Sequence, residues 1–292
     1  MFARMLTVCL AMGGLFVCDG AEARIVVTVA DHMNHKPQAL KREDISGVGS
    51  MRIENVSPLR GEGELYILID EAADYDFGAK LDDIRHFVES QPASTAVGVA
   101  YIKDGELKIA QPPTRVRETA SRALHAPGGS RAASPYCALS SLVAGWPGDA
   151  RQRAVVMITS GMDSTAVGAI CVNAEMAIAD AQRAGVAVYA IYHPAANYDQ
   201  QAWRAVDSGV VDLSHVCYET GGEAYFIGHG PMETIASFLD DVAEHLTNQY
   251  VVTVSFDYAR EAGFQQVYLN GAVPGMELMA PAKVWVNVRP KR

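Results

Sequence analysis

Leu65-Tyr66-Ile67-Leu68-Ile69 is an unbroken apolar run that leads directly into the acidic stretch Asp70-Glu71-Ala72-Ala73-Asp74. A short apolar run bounded by polar residues is typical of a strand that is buried on both faces in a parallel sheet. Ligand sites of such sheets lie just beyond the carboxyl ends of the strands. The three carboxylates therefore fall where an α/β fold usually places its site.

A second run has the same character, since Ala154-Val155-Val156-Met157-Ile158-Thr159 leads into Ser160-Gly161-Met162-Asp163. Apolar residues at helical spacing predict helices over Lys80–Glu89 and Ala174–Ala184, and Gly185 closes the second of them. Asp104-Gly105 between two β-rich stretches predicts a hairpin. Further strands are predicted at Val186–Tyr192, Glu223–Ile227 and Tyr250–Phe256, and further helices at Trp203–Tyr218 and Met232–Leu246.

Strands and helices thus alternate from Leu65 to Phe256, which predicts an α/β fold. We expect three layers, with a mostly parallel central sheet and helices on both of its faces. Small β-rich segments precede and follow it. The predicted divisions are a signal peptide over 1–23, a β-rich segment over 24–60, the α/β domain over 61–257 and a β tail over 258–292.

The first 23 residues have the pattern of an export signal. Arg4 supplies the positive charge, an apolar stretch runs from Met5 to Val17, and Ala21-Glu22-Ala23 supplies the small residues before a cleavage site. A secreted or periplasmic location is predicted. A lipoprotein anchored through Cys18 is the less favoured alternative, because large residues precede that cysteine.

Composition excludes some classes of partner. The chain of 292 residues is 49% hydrophobic and 20% charged, with a formal net charge of −10, which argues against binding to a nucleic-acid backbone. After the signal, no stretch of 18 consecutive apolar residues occurs, so no membrane span is expected in the mature chain.

Three cysteines follow the predicted signal: Cys137, Cys171 and Cys217. Their spacing is too wide for a metal knuckle or a C-x-x-C redox pair. Either one disulfide forms and leaves one thiol, or all three are small buried side chains. Spacing does not reveal which pair would meet.

The order of the motifs resembles a von Willebrand factor type A (vWA) domain. It combines the strand ending at Asp70, a middle loop rich in glycine and serine, and the strand leading to Thr159-Ser160-Gly161-Met162-Asp163. Val27-Thr-Val-Ala-Asp31, Lys36-Pro37 and Leu40-Lys-Arg-Glu-Asp44 further resemble the N-terminal segment of the VWFA-related acidobacterial family. The resemblance implies an exported binding module rather than an enzyme.

vWA domains typically bind a divalent cation through an Asp-x-Ser-x-Ser motif, a threonine in the middle loop and an aspartate after the fourth strand. Asp70 matches the first aspartate, but Ala72 and Asp74 replace the serines, and Ser160 replaces the last aspartate. The middle loop offers serines and no obvious Gly-Thr. Transferred to this chain, the family's site becomes a binding rim that consists of Asp70, Ala72, Asp74, Ser130, Ser134, Ser160 and Asp163.

The departures from the motif predict a rim without a metal or another cofactor, and the resemblance implies that this rim binds a protein partner. The alternative is an adhesion-type site in which Asp70, Asp74 and Asp163 bind Ca²⁺ or Mg²⁺ weakly, since Ca²⁺ accepts several carboxylates in loose geometry. Ala72 removes a ligand, and unpaired clustered acids repel one another.

Catalytic patterns are weaker than the resemblance. The chain has no Gly-x-Ser-x-Gly, Gly-x-x-x-x-Gly-Lys or His-Glu-x-x-His motif. Ser160-Gly161-Met162-Asp163-Ser164-Thr165 is similar to the Ser-Gly-Gly-x-Asp-Ser loop of PP-loop ATP pyrophosphatases, with one glycine missing. A nucleotide enzyme built on that loop is the remote alternative, and no enzymatic activity is predicted.

Overall fold

The structure, a computed structural model, describes residues 21–30, 39–60, 62–72, 75–130, 132–146, 152–163, 171–193, 203–226, 234–257 and 261–287. The strands are β1 (Ala21–Ala30), β2 (Ile45–Gly47), β3 (Met51–Pro58), β4 (Gly63–Asp70), β5 (Thr95–Lys103), β6 (Glu106–Thr114), β7 (Gln152–Thr159), β8 (Ala187–Tyr192), β9 (Ala224–Tyr225), β10 (Gln249–Phe256), β11 (Gly263–Gln266), β12 (Leu269–Gly271), β13 (Glu277–Met279) and β14 (Lys283–Val286). The helices are α1 (Leu81–Ser90), α2 (Arg117–Arg122), α3 (Pro135–Ala144), α4 (Ala174–Ala184), α5 (Trp203–Thr220) and α6 (Ala236–Thr247).

The central sheet has six strands in the order β6-β5-β4-β7-β8-β9. Adjacent strands of this sheet are parallel, except that β6 runs antiparallel to β5. The predicted hairpin connects these two strands, and the positive φ angles of Asp104 (50°) and Gly105 (79°) suit its tight turn. Counted within this sheet alone, the strand order is 3-2-1-4-5-6, which is the doubly wound order with its switch point between β4 and β7.

Both faces of the central sheet are buried, because successive side chains of a strand point to opposite faces. Leu65, Ile67 and Ile69 of β4 belong to one apolar core, which also contains side chains of α1 and α6. Tyr66 and Leu68 belong to a second core on the other face, with side chains of α3, α4 and α5. The unbroken apolar run in the sequence is therefore the signature of a strand between two helical layers, and the predicted fold class is confirmed.

A second, antiparallel sheet has the order β13-β1-β10-β3. β10 corresponds to the strand predicted at Tyr250–Phe256, which we expected inside the α/β domain; instead it lies between β1 and β3. Its burial alternates, with Val252, Val254 and Phe256 buried. Such alternation suits an antiparallel sheet with one face against a core, not a parallel strand buried on both faces.

The β-rich segments at the two ends of the chain are therefore joined. β1 and β3 from the N-terminal segment and β13 from the C-terminal tail share one sheet with β10, and their apolar side chains form a third core. The predicted division at residue 257 separates strands that pair with one another.

The predicted signal peptide lies mostly outside the described residues. β1 begins at Ala21, and Ala21 and Ala23 are buried opposite Phe256 and Val254. Cleavage after Ala23 would remove the first three residues of β1. Within the described residues, no helix has both the length and the apolar character that crossing a membrane requires.

Candidate binding rim at the carboxyl ends of β4 and β7

The switch point of the central sheet brings the two polar strand ends together. Ile69 of β4 lies opposite Ile158 of β7 in the parallel register, so the next residues, Asp70 and Thr159, are neighbours. The Thr159 hydroxyl donates a hydrogen bond to Asp70 Oδ2 at 2.8 Å. Asp70 Oδ1 accepts a second one from the backbone N–H of Ala72 at 2.9 Å, which forms an Asx turn.

Asp70 is almost completely buried, and burial raises the pKa of its carboxyl to about 6, against the two hydrogen bonds, which lower it. Neighbouring Glu71 raises the pKa further by charge repulsion. Both oxygens already have donors within the protein. The arrangement closes the strand end, and a cation would have to reach a carboxylate that is almost completely buried.

Ser134 and Asp163 meet across the rim. Ser134, which directly precedes α3, donates from its hydroxyl to Asp163 Oδ1 at 3.2 Å. Ser134 is buried, whereas Asp163 is exposed. Partial burial raises the pKa of Asp163, the hydrogen bond from Ser134 lowers it, and the charge of Asp212 raises it. Among the rim acids in the described ranges, Asp70 is buried and Asp163 is exposed.

The turn after β7 uses its own backbone N–H groups. Gly161 N–H donates to Thr159 Oγ1 at 3.2 Å, and Met162 N–H donates to the buried Ser160 Oγ at 3.4 Å. A phosphate-binding loop needs such N–H groups directed toward the ligand. This geometry does not favour the hypothesis of a nucleotide-binding PP-loop. Ser164 and Thr165 of that motif lie outside the described residues.

The middle loop is fixed from two sides. Ser130 Oγ accepts from the Asp104 N–H at 2.8 Å and donates to the Ala132 carbonyl at 2.7 Å, so this rim serine holds its own loop. Glu71, buried beside Asp70, accepts from the Gly128 N–H at 3.2 Å. Lys103 Nζ lies 3.6 Å from the same carboxylate.

Sequence reasoning did not assign Thr159 to the rim, and it placed Glu71 at the strand end without its role at the middle loop. The parallel register of two apolar runs that both end in polar residues could have indicated Thr159 as the neighbour of Asp70. Nothing in the sequence indicates that the Glu71 side chain turns inward to the middle loop. Asp74, which was assigned to the rim, lies outside the described residues.

The rim residues do not form a cluster of metal ligands in the described part of the chain. The grouping of three acidic or histidine side chains found there lies elsewhere and includes neither Asp70 nor Asp163. Asp70 is engaged with Thr159 and Ala72, and Asp163 with Ser134.

One disulfide joins α3 to the segment just before α4. Cys137 of α3 is bonded to Cys171, which lies just before α4, and Cys217 is a buried free thiol. Burial raises the pKa of the Cys217 thiol, so it is held in its neutral form. Of the two alternatives left open by the sequence, the structure has the one with a single disulfide and one free thiol.

No family model and no curated protein matches the chain. Its structure is similar to that of a von Willebrand factor type A protein from Catenulispora acidiphila, with 10% identity and a TM-score of 0.46 over 91% of this chain and 73% of that chain. An aerotolerance-related membrane protein from Bacteroides fragilis is 13% identical, with a TM-score of 0.44 over 63% of this chain and 98% of that chain. The von Willebrand factor domain of the type V pili tip protein Mfa5 from Porphyromonas gingivalis is 8% identical, with a TM-score of 0.46 over 64% of this chain and 95% of that chain. At these scores and identities the likeness carries no conclusion about function.

The central sheet itself identifies the class of fold, since it is mostly parallel, has one antiparallel edge strand and carries helices on both faces. The chain has a doubly wound α/β fold. Antiparallel sheets accompany this α/β domain.

Proposed function

We propose that this protein is an exported, non-enzymatic vWA-like module that binds a protein partner through the rim at the carboxyl ends of β4 and β7, without a bound metal. The observation that carries the proposal is the state of Asp70. Its two oxygens accept hydrogen bonds from Thr159 and Ala72, and burial raises its pKa. A carboxyl used in this way supports the rim instead of coordinating a cation.

The position of the rim supports a binding role. Ligands of doubly wound sheets bind outside the carboxyl ends of the strands at the switch point, and here that point lies between β4 and β7. Exposed groups of both signs surround it, namely Asp163 after β7 and Lys103 at the end of β5. Such groups can contribute orientation and specificity at a protein interface.

Export is part of the proposal. The N-terminal pattern supports it, and so does the Cys137–Cys171 disulfide, because disulfides persist mainly in oxidising compartments. The VWFA-related acidobacterial family is the narrower relationship that we propose, on its N-terminal motifs. Residues 31–38, which carry part of those motifs, lie outside the described residues.

Metal binding tests the first half of the proposal. We expect isothermal titration calorimetry of the mature protein with Mg²⁺ and Ca²⁺ to show no binding at the rim at millimolar concentration. Millimolar or tighter binding that Asp70→Ala abolishes would instead establish the adhesion-type, metal-dependent alternative.

Partner capture tests the second half. The purified protein would be cross-linked in a periplasmic or culture extract, and captured proteins compared by quantitative mass spectrometry for the wild type, Asp163→Arg and Glu89→Arg. Glu89 is a matched control, because it is an exposed acid near the carboxyl end of α1, away from the rim. We expect a reproducible partner that Asp163→Arg loses, Glu89→Arg retains and EDTA does not remove.

The contrary results are distinct. Absence of a reproducible partner contradicts the binding role, and a loss in EDTA that added Mg²⁺ or Ca²⁺ restores contradicts the metal-free rim. Equal loss in both variants places the interaction on another surface.

A further inference from the structure

Three side chains that sequence reasoning did not connect meet beside the edge strand of the central sheet. Glu223 directly precedes β9, and Asp241 and His245 lie one turn apart on α6. One nitrogen of His245 and one carboxylate oxygen of each acid all lie within 4.8 Å of one another. An i, i+4 spacing places Asp241 and His245 on the same face of α6, as in helical metal-binding pairs.

His245 supplies a second and independent observation. Its side chain is 7% exposed, and its Nδ1 makes no hydrogen bond within the described part of the chain. Nδ1 lies 3.8 Å from Glu223 Oε2, and Nε2 lies 3.8 Å from Asp241 Oδ2. A buried ring nitrogen without a partner is unfavourable, since it has lost its hydrogen bonds to water and gained none in return.

The acids keep the site open. The side chains of Glu223 and Asp241 are 35% and 44% exposed, so an ion can reach them from solvent. The Tyr225 hydroxyl donates to Asp241 Oδ2 at 2.6 Å and orients that carboxylate. Hydrogen bonds of this kind commonly fix the direction of a metal ligand.

We propose that Glu223, Asp241 and His245 bind a divalent transition-metal ion, with Zn²⁺ as the best match. Zn²⁺ accepts both imidazole nitrogen and carboxylate oxygen, whereas Ca²⁺ and Mg²⁺ prefer oxygen ligands alone. Tetrahedral ligands at Zn²⁺ distances stand about 3.4 Å apart, so the three side chains would have to move closer together to enclose the ion at one nitrogen of His245.

The ion would satisfy the unpartnered nitrogen and link α6 to the edge of the central sheet. α6 contributes Leu239 and Val242 to the core on one face of that sheet. Metal bound only by the folded chain raises its stability. The site therefore has a structural role, separate from the rim at β4 and β7.

Calorimetry on the untagged full chain, stripped with EDTA and dialysed, tests the site with ZnCl₂ as the probe. We expect one Zn²⁺ per chain at micromolar or tighter affinity and a rise of a few degrees in the melting temperature. Glu223→Gln and Asp241→Asn should each weaken binding at least tenfold. Asp240→Asn is the matched control, because Asp240 is an exposed acid on the same helix outside the cluster, and it should bind as the wild type does.

Co²⁺ adds a readout that a loss of packing would not imitate. We expect Co²⁺ to give a visible absorption band in the wild type and in Asp240→Asn, and the band to be lost in Glu223→Gln and Asp241→Asn while their circular dichroism spectra stay unchanged. Absence of Zn²⁺ binding at 1 mM, or equal affinity in the wild type and both site variants, overturns the proposal. In that case His245 is an imidazole held between two acids without a metal.

Discussion

Thr159 donates a hydrogen bond to Asp70 across the junction of β4 and β7, with Thr159 Oγ1 and Asp70 Oδ2 2.8 Å apart. Both residues are buried at the end of an apolar strand. The contact joins the two halves of a doubly wound sheet at the point where ligands usually bind. It also engages one oxygen of the Asp70 carboxyl, which links the stability of the sheet to the chemistry of the rim.

The first prediction concerns Asp70 and pH. Burial raises its pKa from 3.8 to about 6, so between these values the folded state holds a proton that the unfolded state releases. Rising pH then favours the unfolded state, and the resulting penalty levels off above pH 6 at about 3 kcal/mol. Asp70→Asn has no charge to bury, so its stability relative to the wild type should grow from pH 4 to pH 6.

Urea unfolding at several pH values measures that difference. Asp82→Asn is the control, because Asp82 is an exposed carboxylate whose removal should produce no such growth. A difference between Asp70→Asn and the wild type that is constant or shrinks with rising pH contradicts the burial of a charged Asp70.

A second prediction concerns Glu71, which holds the middle loop to the rim. Its buried carboxylate accepts from the Gly128 N–H and lies near Lys103. We expect Glu71→Ala to expose the Gly128 amide and to speed its hydrogen exchange about tenfold, equivalent to about 1.4 kcal/mol. Glu106→Ala, which removes an exposed acid paired only locally with Lys108, should leave that exchange rate unchanged.

Gly161 gives a third prediction, because its backbone has a φ of +69° and lies against α5. A Cβ on Gly161 would stand 2.4 Å from the Gly209 carbonyl oxygen. Gly161→Ala should therefore destabilise the protein by about 2 kcal/mol or more, from backbone strain and steric overlap together. Gly78→Ala adds a Cβ in open space and should change the unfolding free energy by less than about 0.5 kcal/mol.

The fourth prediction concerns the disulfide between Cys137 and Cys171, which are 34 residues apart. A loop of this length restricts the unfolded chain enough to stabilise the folded state by about 3 to 4 kcal/mol. The double variant Cys137→Ser/Cys171→Ser should lose this amount in chemical unfolding. Dithiothreitol should lower the stability of the wild type toward that of the variant and leave the variant unchanged. A reductant-insensitive wild type contradicts the assignment.

The sequence predicted the strands of the central sheet well, because local composition marks them. β4 and β7 are apolar without a break, and Asp104-Gly105 has the residues that a tight hairpin requires. Gly185 ends α4 in the left-handed conformation, as predicted. The strand at Tyr250–Phe256 was also predicted, but its membership in a sheet was not, since pairing depends on residues that are distant in the chain.

The candidate site was predicted only in part. The sequence located Asp70 and Asp163 at strand ends, but the inward turn of Glu71 and the hydroxyl of Thr159 depend on neighbours supplied by other strands. The contact between Glu223 and His245 likewise depends on elements that are distant in the chain. Contacts of this kind are not encoded by spacing along one element.

By itself, the sequence determined the alternation of strands and helices, the burial of β4 on both faces and the polar ends of β4 and β7, because these follow from the pattern of apolar residues and from the polar residues that end each strand. Only the tertiary structure decided which strands share a sheet, which cysteines are bonded and whether each carboxylate is occupied. The physical reason is that these outcomes depend on register, desolvation and hydrogen bonds between groups that folding brings together from distant parts of the chain.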